Sequence, residues 1–334
     1  MKIIFLVIII VLIFIYLLHK YYSRHYWYNV NSKLGEVNYY SSNSFSNGAV
    51  IEKNIDKLDI KSLTNLYKDY FASFNITEDT IKYFFKTMNR PVVIYKKEDE
   101  IIASVFNSIN SVIYDSKLYL VNFVDYAIVS KKVRNRNIFQ GLMNEVANYT
   151  NVNNCRLIMF KIDVNPIPSF MGYNFMSKYY YGERRDMGKI GSKIEVKNIG
   201  LEYFRKISSF MESNFVFYPI IEESSNLYNI LVNNSQRITI IVEDRVILNF
   251  KYNSSNFLEL MYIFNIGGED MMILDGIRFI NKNYNFRYLF MDGIGYNIKL
   301  LNLMGDYFRE KHDTYHYILG INDKLDKSKV YYYF

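Results

Sequence analysis

The sequence predicts an α/β (α+β) protein in which one unit of mixed sheets and flanking helices occurs twice, behind an N-terminal membrane anchor. Three features lead to this prediction: a strand–turn–helix segment at residues 121–146, a second half that repeats the element order of the first, and an apolar run at residues 3–18. The predicted boundaries are 1–24 for the anchor, 25–50 for a linker, 51–190 for the first lobe and 191–334 for the second lobe.

In the first lobe, the helical spacing of apolar residues predicts helices over 59–71 and 78–88, the second after the capping-type Thr77. A further helix is predicted from near Ile138. Runs rich in β-branched and aromatic residues predict strands. These strands are expected at 92–95, at 101–105, as another pair within 117–129, and at 156–160.

The second half shows a similar order of patterns. It predicts a helix at 201–213, a hairpin of 237–242 and 245–252, a strand at 258–264, a helix at 271–282, a strand at 287–291 and a helix near 297–309. Because self-similarity along a chain is typical of repeated units, we interpret the two halves as copies of one α/β unit.

The segment from Val121 to Val146 carries the clearest functional signal. An apolar strand pattern is followed by a basic turn at 131–136, and a helix pattern then begins near Ile138. Backbone N–H groups at a helix start attract anions, and the guanidinium groups of Arg134 and Arg136 add paired donors. Such a unit fits the phosphates of a coenzyme A thioester, although a charged turn can also be a merely solvated surface.

Charge and composition narrow the function classes. The net charge of +7 is mild for 334 residues, and Lys and Arg cluster only at 131–136, so we expect an anion site rather than nucleic-acid binding. Cys155 is the one cysteine, which excludes an internal disulfide and a Cys-based zinc site, and we expect it in the core. His312 and His316 have a spacing that can bind zinc on a helix, but no HExxH motif surrounds them, so we expect no metal.

The N-terminal run Ile3 to Leu18 is apolar and free of charge. It is short for a full span, which takes about 20 residues. A cleaved signal peptide is the alternative, but no site of small residues follows the run, so we favour an uncleaved anchor. Lys20 and Arg24 outweigh Lys2, and the positive-inside rule then places the rest of the chain in the cytosol.

Several motifs resemble the eukaryotic N-myristoyltransferase family. The run VNFVDYAIVSKKVRNRN is similar to that family's strand and phosphate loop, typically INFLCVHKKLRSKR. Ile101–Ser104 and Ile113–Asp115 resemble the family's hairpin with its IYD tripeptide, and Asn165–Pro168 falls where the family has an LPxP segment. Weaker similarity continues to Lys329–Val330, so the resemblance covers about residues 55–334.

The resemblance implies a tandem pair of acetyltransferase-like (GNAT) lobes, the first binding acyl-CoA and the second facing an acceptor peptide. It implies myristoyl-CoA as co-substrate, an N-terminal glycine as acceptor, and a monomer. By position, the main-chain amides of Tyr126 and Ala127 polarise the thioester carbonyl, and the α-carboxylate of Phe334 is the general base. The implied coenzyme contacts are Val129, Arg134, Asn135, Arg136, Asn137, Ile138 and Phe139.

Two departures from the family lie on the acceptor side. Phe160 aligns with a family threonine, and Glu310–Asp313 stand where the family has a Gly-Asp-Gly loop. We therefore keep three hypotheses open: an N-myristoyltransferase-type enzyme, a GNAT-type enzyme with another acyl-CoA or amine, and a catalytically inactive relative with a binding or structural role at the membrane.

Overall fold

The computed structural model describes most of the chain from Ala49 onward. The described residues are 13–14, 49–70, 76–83, 85, 90–133, 138–163, 173–220, 231–233, 236–254, 256–321 and 323–332. The predicted anchor at 3–18 and the predicted linker at 25–50 lie outside them, apart from Ile13, Phe14, Ala49 and Val50. Among the described residues, no helix has the length and apolar character needed to cross a membrane.

The helices of the described residues are α1 (Ile60–Lys68), α2 (Glu78–Lys82), α3 (Ile138–Val152), α4 (Leu201–Asn214), α5 (Asp270–Asn283) and α6 (Asn297–Leu303). The strands are β1 (Ala49–Glu52), β2 (Val92–Lys97), β3 (Glu100–Tyr114), β4 (Lys117–Val129), β5 (Leu157–Asp163), β6 (Phe175–Glu183), β7 (Ile194–Val196), β8 (Phe217–Pro219), β9 (Arg237–Val242), β10 (Val246–Ser254), β11 (Phe257–Asn265), β12 (Tyr288–Asp292) and β13 (Arg309–Leu319).

Local sequence explains several of these boundaries. The side chain of Asp59 accepts the N–H of Ser62 at 2.9 Å and so begins α1. Thr77 and Thr80 exchange side-chain and backbone hydrogen bonds in a capping box that begins α2. Helix α5 packs closely on the sheet because Gly276 has no side chain: an added Cβ would lie 2.5 Å from Leu248 Cδ1.

One continuous sheet organises the molecule. Its order is β1-β2-β3-β4-β5-β13-β6-β12-β11-β10-β9-β7, with β8 added beside β3. Strands β4 and β5 are parallel and joined through α3, and β11 and β12 are parallel and joined through α5. The predicted α/β class and the doubled element order are therefore confirmed, while the lobe boundary near residue 190 stays a prediction.

The two halves exchange strands at the centre. Strand β13, from the second half, pairs with β5, and β6, from the first half, pairs with β12. The exchanged strands β13 and β6 also pair with each other, so they join the halves. Sequence patterns predicted neither strand; in particular, the helix expected near 297–309 ends at Leu303, and β13 begins at Arg309.

Alternation along the strands gives the sheet two distinct faces. Helix α3 packs on Ile158 and Phe160, and helix α5 packs on the corresponding face of the second half; we call this the α3/α5 face. Leu157 and Met159 point to the opposite face, where the C-terminal residues Val330 and Tyr332 pack. Helices α1, α2 and α4 also cover that side, which we call the tail face.

Two smaller expectations are settled by the described residues. Residues 117–129, expected to form a pair of strands, are the single strand β4. Cys155 is buried, as expected, and burial raises the pKa of its thiol to about 12, so the thiol is an inert core group.

Candidate functional site

A β-bulge interrupts the pairing of β3 and β4 at Tyr126 and Ala127. Both residues lie opposite the single residue Val105, because the pairing register shifts there. Tyr126 has a φ of 52°, a left-handed conformation that costs a non-glycine residue about 1–3 kcal/mol. Ala127 is exposed. Bulges of this kind are frequent beside active sites, where they redirect backbone groups.

Four side chains hold this bulge in place. The Tyr67 hydroxyl donates to the Tyr126 carbonyl oxygen at 2.8 Å and accepts from Ser104 Oγ at 3.1 Å. Asp125 Oδ1 accepts the N–H of Tyr126 at 2.8 Å, and Arg90 Nη1 lies 3.4 Å from Asp125 Oδ2. The N–H of Tyr126, one of the two main-chain donors implied by the family resemblance, is therefore already hydrogen-bonded to Asp125.

Strands β4 and β5 separate just before the bulge. Their parallel pairing joins Val121–Phe123 to Leu157–Met159 and ends there, although both strands continue. We call this opening the strand fork. It leaves the backbone of Tyr126 and Ala127 on a strand edge that β5 does not pair with.

The residues implied in coenzyme binding are only partly described. Val129 ends β4 opposite Ala103, Ile138 is buried at the start of α3, and Phe139 beside it is 38% exposed. The central residues of the proposed phosphate loop lie outside the described residues: Arg134, Asn135, Arg136 and Asn137. The structure thus supplies the strand end and the helix start that flank this loop.

Polar and charged side chains gather on the tail face at the centre of the sheet. This central polar cluster comprises Tyr126, Lys161, Asp163, Ser177, Tyr179, Lys251, Glu259, Asp292, His312 and His316. Its members come from β4, β5, β6, β10, β11, β12 and β13, so both halves of the chain contribute. Buried ionisable groups are costly unless paired, and such clusters often mark functional sites.

Lys161 is the cation at the middle of this cluster. Its Nζ lies 3.9 Å from Asp292 Oδ2 and 5.8 Å from the ring centre of Tyr179. Burial alone would lower the pKa of Lys161, but the surrounding carboxylates, with Asp292 and Asp163 the strongest, together outweigh burial and hold the pKa above its usual value. Burial also raises the pKa of Asp292, with Lys161 opposing that rise. Lys161 is therefore a stable cation at neutral pH.

Lys251 lies nearer to the bulge and has the opposite character. Its Nζ donates to the Tyr126 hydroxyl at 2.9 Å, and the side chain is buried. The pKa of Lys251 is lowered to about 8, chiefly by burial; the carboxylate of Glu259 opposes this effect, and Arg237 adds to it. Lys251 therefore changes charge close to physiological pH.

Four buried groups form a directed chain of hydrogen bonds. Ser177 Oγ donates to Asp292 Oδ1 at 2.5 Å and lies 2.7 Å from His316 Nε2, while His316 Nδ1 contacts the Tyr332 hydroxyl. Burial holds the pKa of His316 well below its usual value, and Lys161 lowers it further, so the ring is neutral. Because Ser177 has one proton and gives it to Asp292, His316 Nε2–H donates to Ser177 and Nδ1 accepts from Tyr332.

This chain attaches the C-terminal tail to the sheet. The N–H of Tyr331 donates to the Phe217 carbonyl at 2.7 Å, and the side chains of Tyr331 and Tyr332 are both 4% exposed. The tail is thus buried up to Tyr332. Phe334, the implied general base, lies outside the described residues, so its role stays a prediction.

The structure relocates two positions that the sequence singled out. Phe160 lies on the α3/α5 face, stacked on Tyr317 with ring centres 4.9 Å apart, and its neighbour Lys161 faces the central polar cluster. His312 and His316, spaced as if on a helix, lie on strand β13 instead. Within the described part of the chain, no group of three or more His, Cys, Asp or Glu side chains could hold a metal ion.

Sequence reasoning missed most of the central polar cluster. Lys161, Asp292 and Lys251 each stand in or at the end of an otherwise apolar strand pattern. A charged residue at such a position is a usable signal, because burying it requires a partner. The local sequence pattern does not reveal which strands, distant in sequence, pair with each other and bring these side chains together.

Comparison with known proteins agrees with this architecture. No protein-family model matches the sequence, and the search of curated proteins found no match. Among solved structures, Saccharomyces cerevisiae N-myristoyltransferase with bound myristoyl-CoA is similar at a TM-score of 0.63 and 11% identity, covering 85% of this chain and 87% of that chain. The same enzyme bound to myristoyl-CoA and inhibitors gives 0.64 at 11% identity, covering 86% and 84%.

A GCN5-related N-acetyltransferase from Kribbella flavida is also similar, at a TM-score of 0.52 and 9% identity, covering 81% of this chain and 72% of that chain. Identities this low establish the fold alone. The chain therefore has a mixed α/β, GNAT-like fold that resembles the tandem lobes of N-myristoyltransferase.

Proposed function

We propose that this protein is an N-acyltransferase that moves a fatty acyl group, namely myristoyl, from coenzyme A to the amine of an N-terminal glycine. The observation that carries this proposal is the bulge at Tyr126 and Ala127 beside the strand fork, within a fold similar to N-myristoyltransferase. The bulge offers main-chain groups to a thioester carbonyl, and the fork admits the extended arm of coenzyme A.

On the donor side, the exposed Ala127 supplies the main-chain N–H that holds the carbonyl oxygen. The Tyr126 N–H joins it once it leaves Asp125, to which it donates at 2.8 Å. A donor aimed at a developing oxyanion contributes about 10²–10³ in rate. The loop from Arg134 to Asn137, with Ile138 and Phe139 at the helix start, holds the phosphates, since the start of a helix offers backbone N–H groups and arginine side chains suit phosphate oxygens.

The transfer itself needs no covalent enzyme intermediate. The neutral glycine amine attacks the thioester carbon, the C–N bond forms, and the C–S bond breaks to release coenzyme A as a thiol or thiolate. The amine proton passes to a carboxylate, for which the resemblance names the C-terminal carboxylate of Phe334. The central polar cluster forms the acceptor side, where Lys161 and its carboxylates orient a polar chain end.

Cellular placement belongs to the same proposal. The run at 3–18 anchors the chain in a membrane with the folded part in the cytosol, where acyl-CoA is available. The enzyme works as a monomer on acyl-CoA and N-terminal glycine peptides, without a metal and without nucleic acid.

A direct experiment tests acyl-CoA binding and acyl transfer separately. The full-length protein is titrated with myristoyl-CoA and with acetyl-CoA, and is then incubated with a glycine-starting peptide and with a matched alanine-starting peptide. Saturable myristoyl-CoA binding with acylation of only the glycine peptide supports the proposal. Preference for acetyl-CoA indicates a GNAT-type enzyme with another acyl group. Arg134→Ala should weaken binding of either thioester, and unchanged affinity would exclude the phosphate assignment.

The second candidate is a catalytically inactive relative that binds acyl-CoA at the membrane. It is favoured by the hydrogen bond from the Tyr126 N–H to Asp125, which occupies one of the two implied donors. This candidate predicts acyl-CoA binding without turnover, and binding that is unaffected by deletion of Phe334.

A further inference from the structure

A charged cavity lies beside helix α5, outside the strand fork and the central polar cluster. It opens between the segment 184–189, which follows β6, and the C-terminal half of α5, and its volume is about 620 Å³. This volume is within the range of small-molecule sites, about 300–1,000 Å³. The cavity lining is Arg184, Arg185, Asp186, Met187, Gly188, Lys189, Arg278, Asn281 and Lys282.

The lining of this basic cavity is strongly cationic. Five of its residues are Arg or Lys, against the single carboxylate of Asp186. Beneath the cavity, both carboxylate oxygens of Asp275 are hydrogen-bonded. Oδ1 accepts from Arg278 Nη1 at 2.8 Å, and Oδ2 accepts from the N–H of Ser192 at 2.8 Å. Counting both carboxylates, the cavity retains a net charge of about +3.

Within the described residues, four of the five cations line the cavity without an acidic partner; Arg184 is hydrogen-bonded to Asn281 and Asn285, which leaves three. In the part of the chain that the structure describes, Arg185, Lys189 and Lys282 form no ion pair, although the Arg185 guanidinium lies 5.2 Å from the ring centre of Tyr307. All three residues are exposed. Their charges are therefore available to a ligand that enters the cavity.

Hydrogen bonds to α5 fix the shape of the cavity before any ligand arrives. Arg184 Nε donates to the carbonyl oxygen of Asn281 at 2.8 Å, and Arg278 Nε donates to the carbonyl oxygen of Met187 at 3.1 Å. These bonds hold the segment 184–189 against the helix at two points. A preformed site loses less conformational entropy on binding than a flexible one.

The helix dipole opposes an anion here, but it is the weaker effect. The C-terminus of a helix carries about −0.5 elementary charge, and Arg184 already occupies one of the terminal carbonyl groups of α5. The net charge of about +3 on the lining exceeds that dipole several-fold. The cavity therefore attracts anions.

We propose that this basic cavity binds a compact anion with two or more phosphate groups. Arginine forks and lysine ammonium groups together suit phosphate oxygens, and a net charge of about +3 matches a pyrophosphate-like group better than a single carboxylate. The concave shape favours a compact group over an extended nucleic-acid backbone. Such a group occurs in soluble polyphosphates and in the headgroups of phosphorylated lipids.

The test uses the full-length protein and two probes. Inorganic pyrophosphate is titrated by calorimetry, and vesicles of phosphatidylcholine with or without a bisphosphorylated inositol lipid are tested by co-sedimentation. The variant is Lys189→Ala with Lys282→Ala, and the control is Lys61→Ala, which removes an exposed lysine from α1. Because all three lysines are exposed, folding should be unaffected, and thermal melts verify this.

We expect the wild type to bind pyrophosphate saturably. The affinity should fall about tenfold in the double variant, since two exposed ion pairs contribute about this much, and should be unchanged in Lys61→Ala. If the same substitutions also reduce binding to lipid vesicles, and pyrophosphate competes, the source of the phosphates is a lipid. If the two lysines are needed to bind pyrophosphate but not to bind vesicles, the ligand is a soluble polyphosphate. No saturable binding at millimolar pyrophosphate, or equal affinity of the double variant and Lys61→Ala, would overturn the proposal.

Discussion

Replacing Tyr67 by Phe tests whether side chains behind β3 and β4 hold the bulge in its functional shape. The change removes one hydroxyl that donates to the Tyr126 carbonyl at 2.8 Å and accepts from Ser104 at 3.1 Å. Ring packing stays, since the ring centre of Tyr67 lies 5.9 Å from that of Phe106 and 6.1 Å from that of Tyr126. The substitution therefore isolates the hydrogen bonds.

The expected loss in free energy of unfolding follows from the groups that lose a hydrogen bond in Tyr67→Phe. The partly buried carbonyl oxygen of Tyr126 and the buried hydroxyl of Ser104 each lose this hydrogen bond, which costs about 1–3 kcal/mol in free energy of unfolding. The left-handed backbone of Tyr126 stores about 1–3 kcal/mol of strain. Because the lost bond and the strain are similar in size, the bulge is expected to relax toward regular strand geometry. Misaimed amides should then lower kcat about tenfold to a hundredfold, less than the loss of about 10²–10³ expected when one oxyanion donor is removed entirely.

Two measurements check this prediction. Denaturant unfolding followed by circular dichroism gives the loss in free energy, and steady-state kinetics separates kcat from KM. Tyr95→Phe is the matched control, because Tyr95 lies in the same half and its hydroxyl makes no hydrogen bond within the described residues. If Tyr67→Phe unfolds and turns over like the wild type, the bulge does not depend on this hydroxyl and the reasoning is refuted.

Two further predictions concern the buried polar groups. The pKa of Lys251 is about 8 in the folded protein and 10.5 for an ordinary lysine, so between these values the unfolded chain holds more protons and the free energy of unfolding should rise with pH. Urea unfolding from pH 7 to pH 10 should show this rise, up to about 3 kcal/mol over the full interval, and Lys251→Met should flatten it; equal slopes in both proteins would contradict the assignment. Tyr332→Phe should leave His316 Nδ1 unsatisfied, lower stability by about 1–3 kcal/mol and speed carboxypeptidase digestion of the tail. Unchanged digestion would show that this bond does not hold the tail.

Much of the fold follows from local pattern, because most elements bury one apolar side. Helices α4 and α5 and the hairpin of β9 and β10 lie where periodicity predicted them. Strands β6 and β13 were missed, since one side of each faces the central polar cluster and so carries Ser, Thr, His and Tyr. Their exchange between the halves is a long-range arrangement that no local pattern encodes.

The candidate site was predicted unevenly for related reasons. The family resemblance located Tyr126 and Ala127, and the structure adds that the backbone there is a bulge. Its left-handed residue is a tyrosine, which propensity would not suggest for such a position. Lys251 reaches Tyr126 from a strand 125 residues away, so only the folded chain reveals that contact.

The most direct test of the donor site is the infrared carbonyl band of myristoyl-CoA labelled with ¹³C at the thioester carbon. Hydrogen bonds from main-chain amides at Tyr126 and Ala127 would polarise this carbonyl, and the fork would exclude water from it. Our account predicts that the band shifts to lower frequency on binding to the wild-type protein and shifts less in Tyr67→Phe. A bound thioester whose carbonyl absorbs as it does in water would contradict the account.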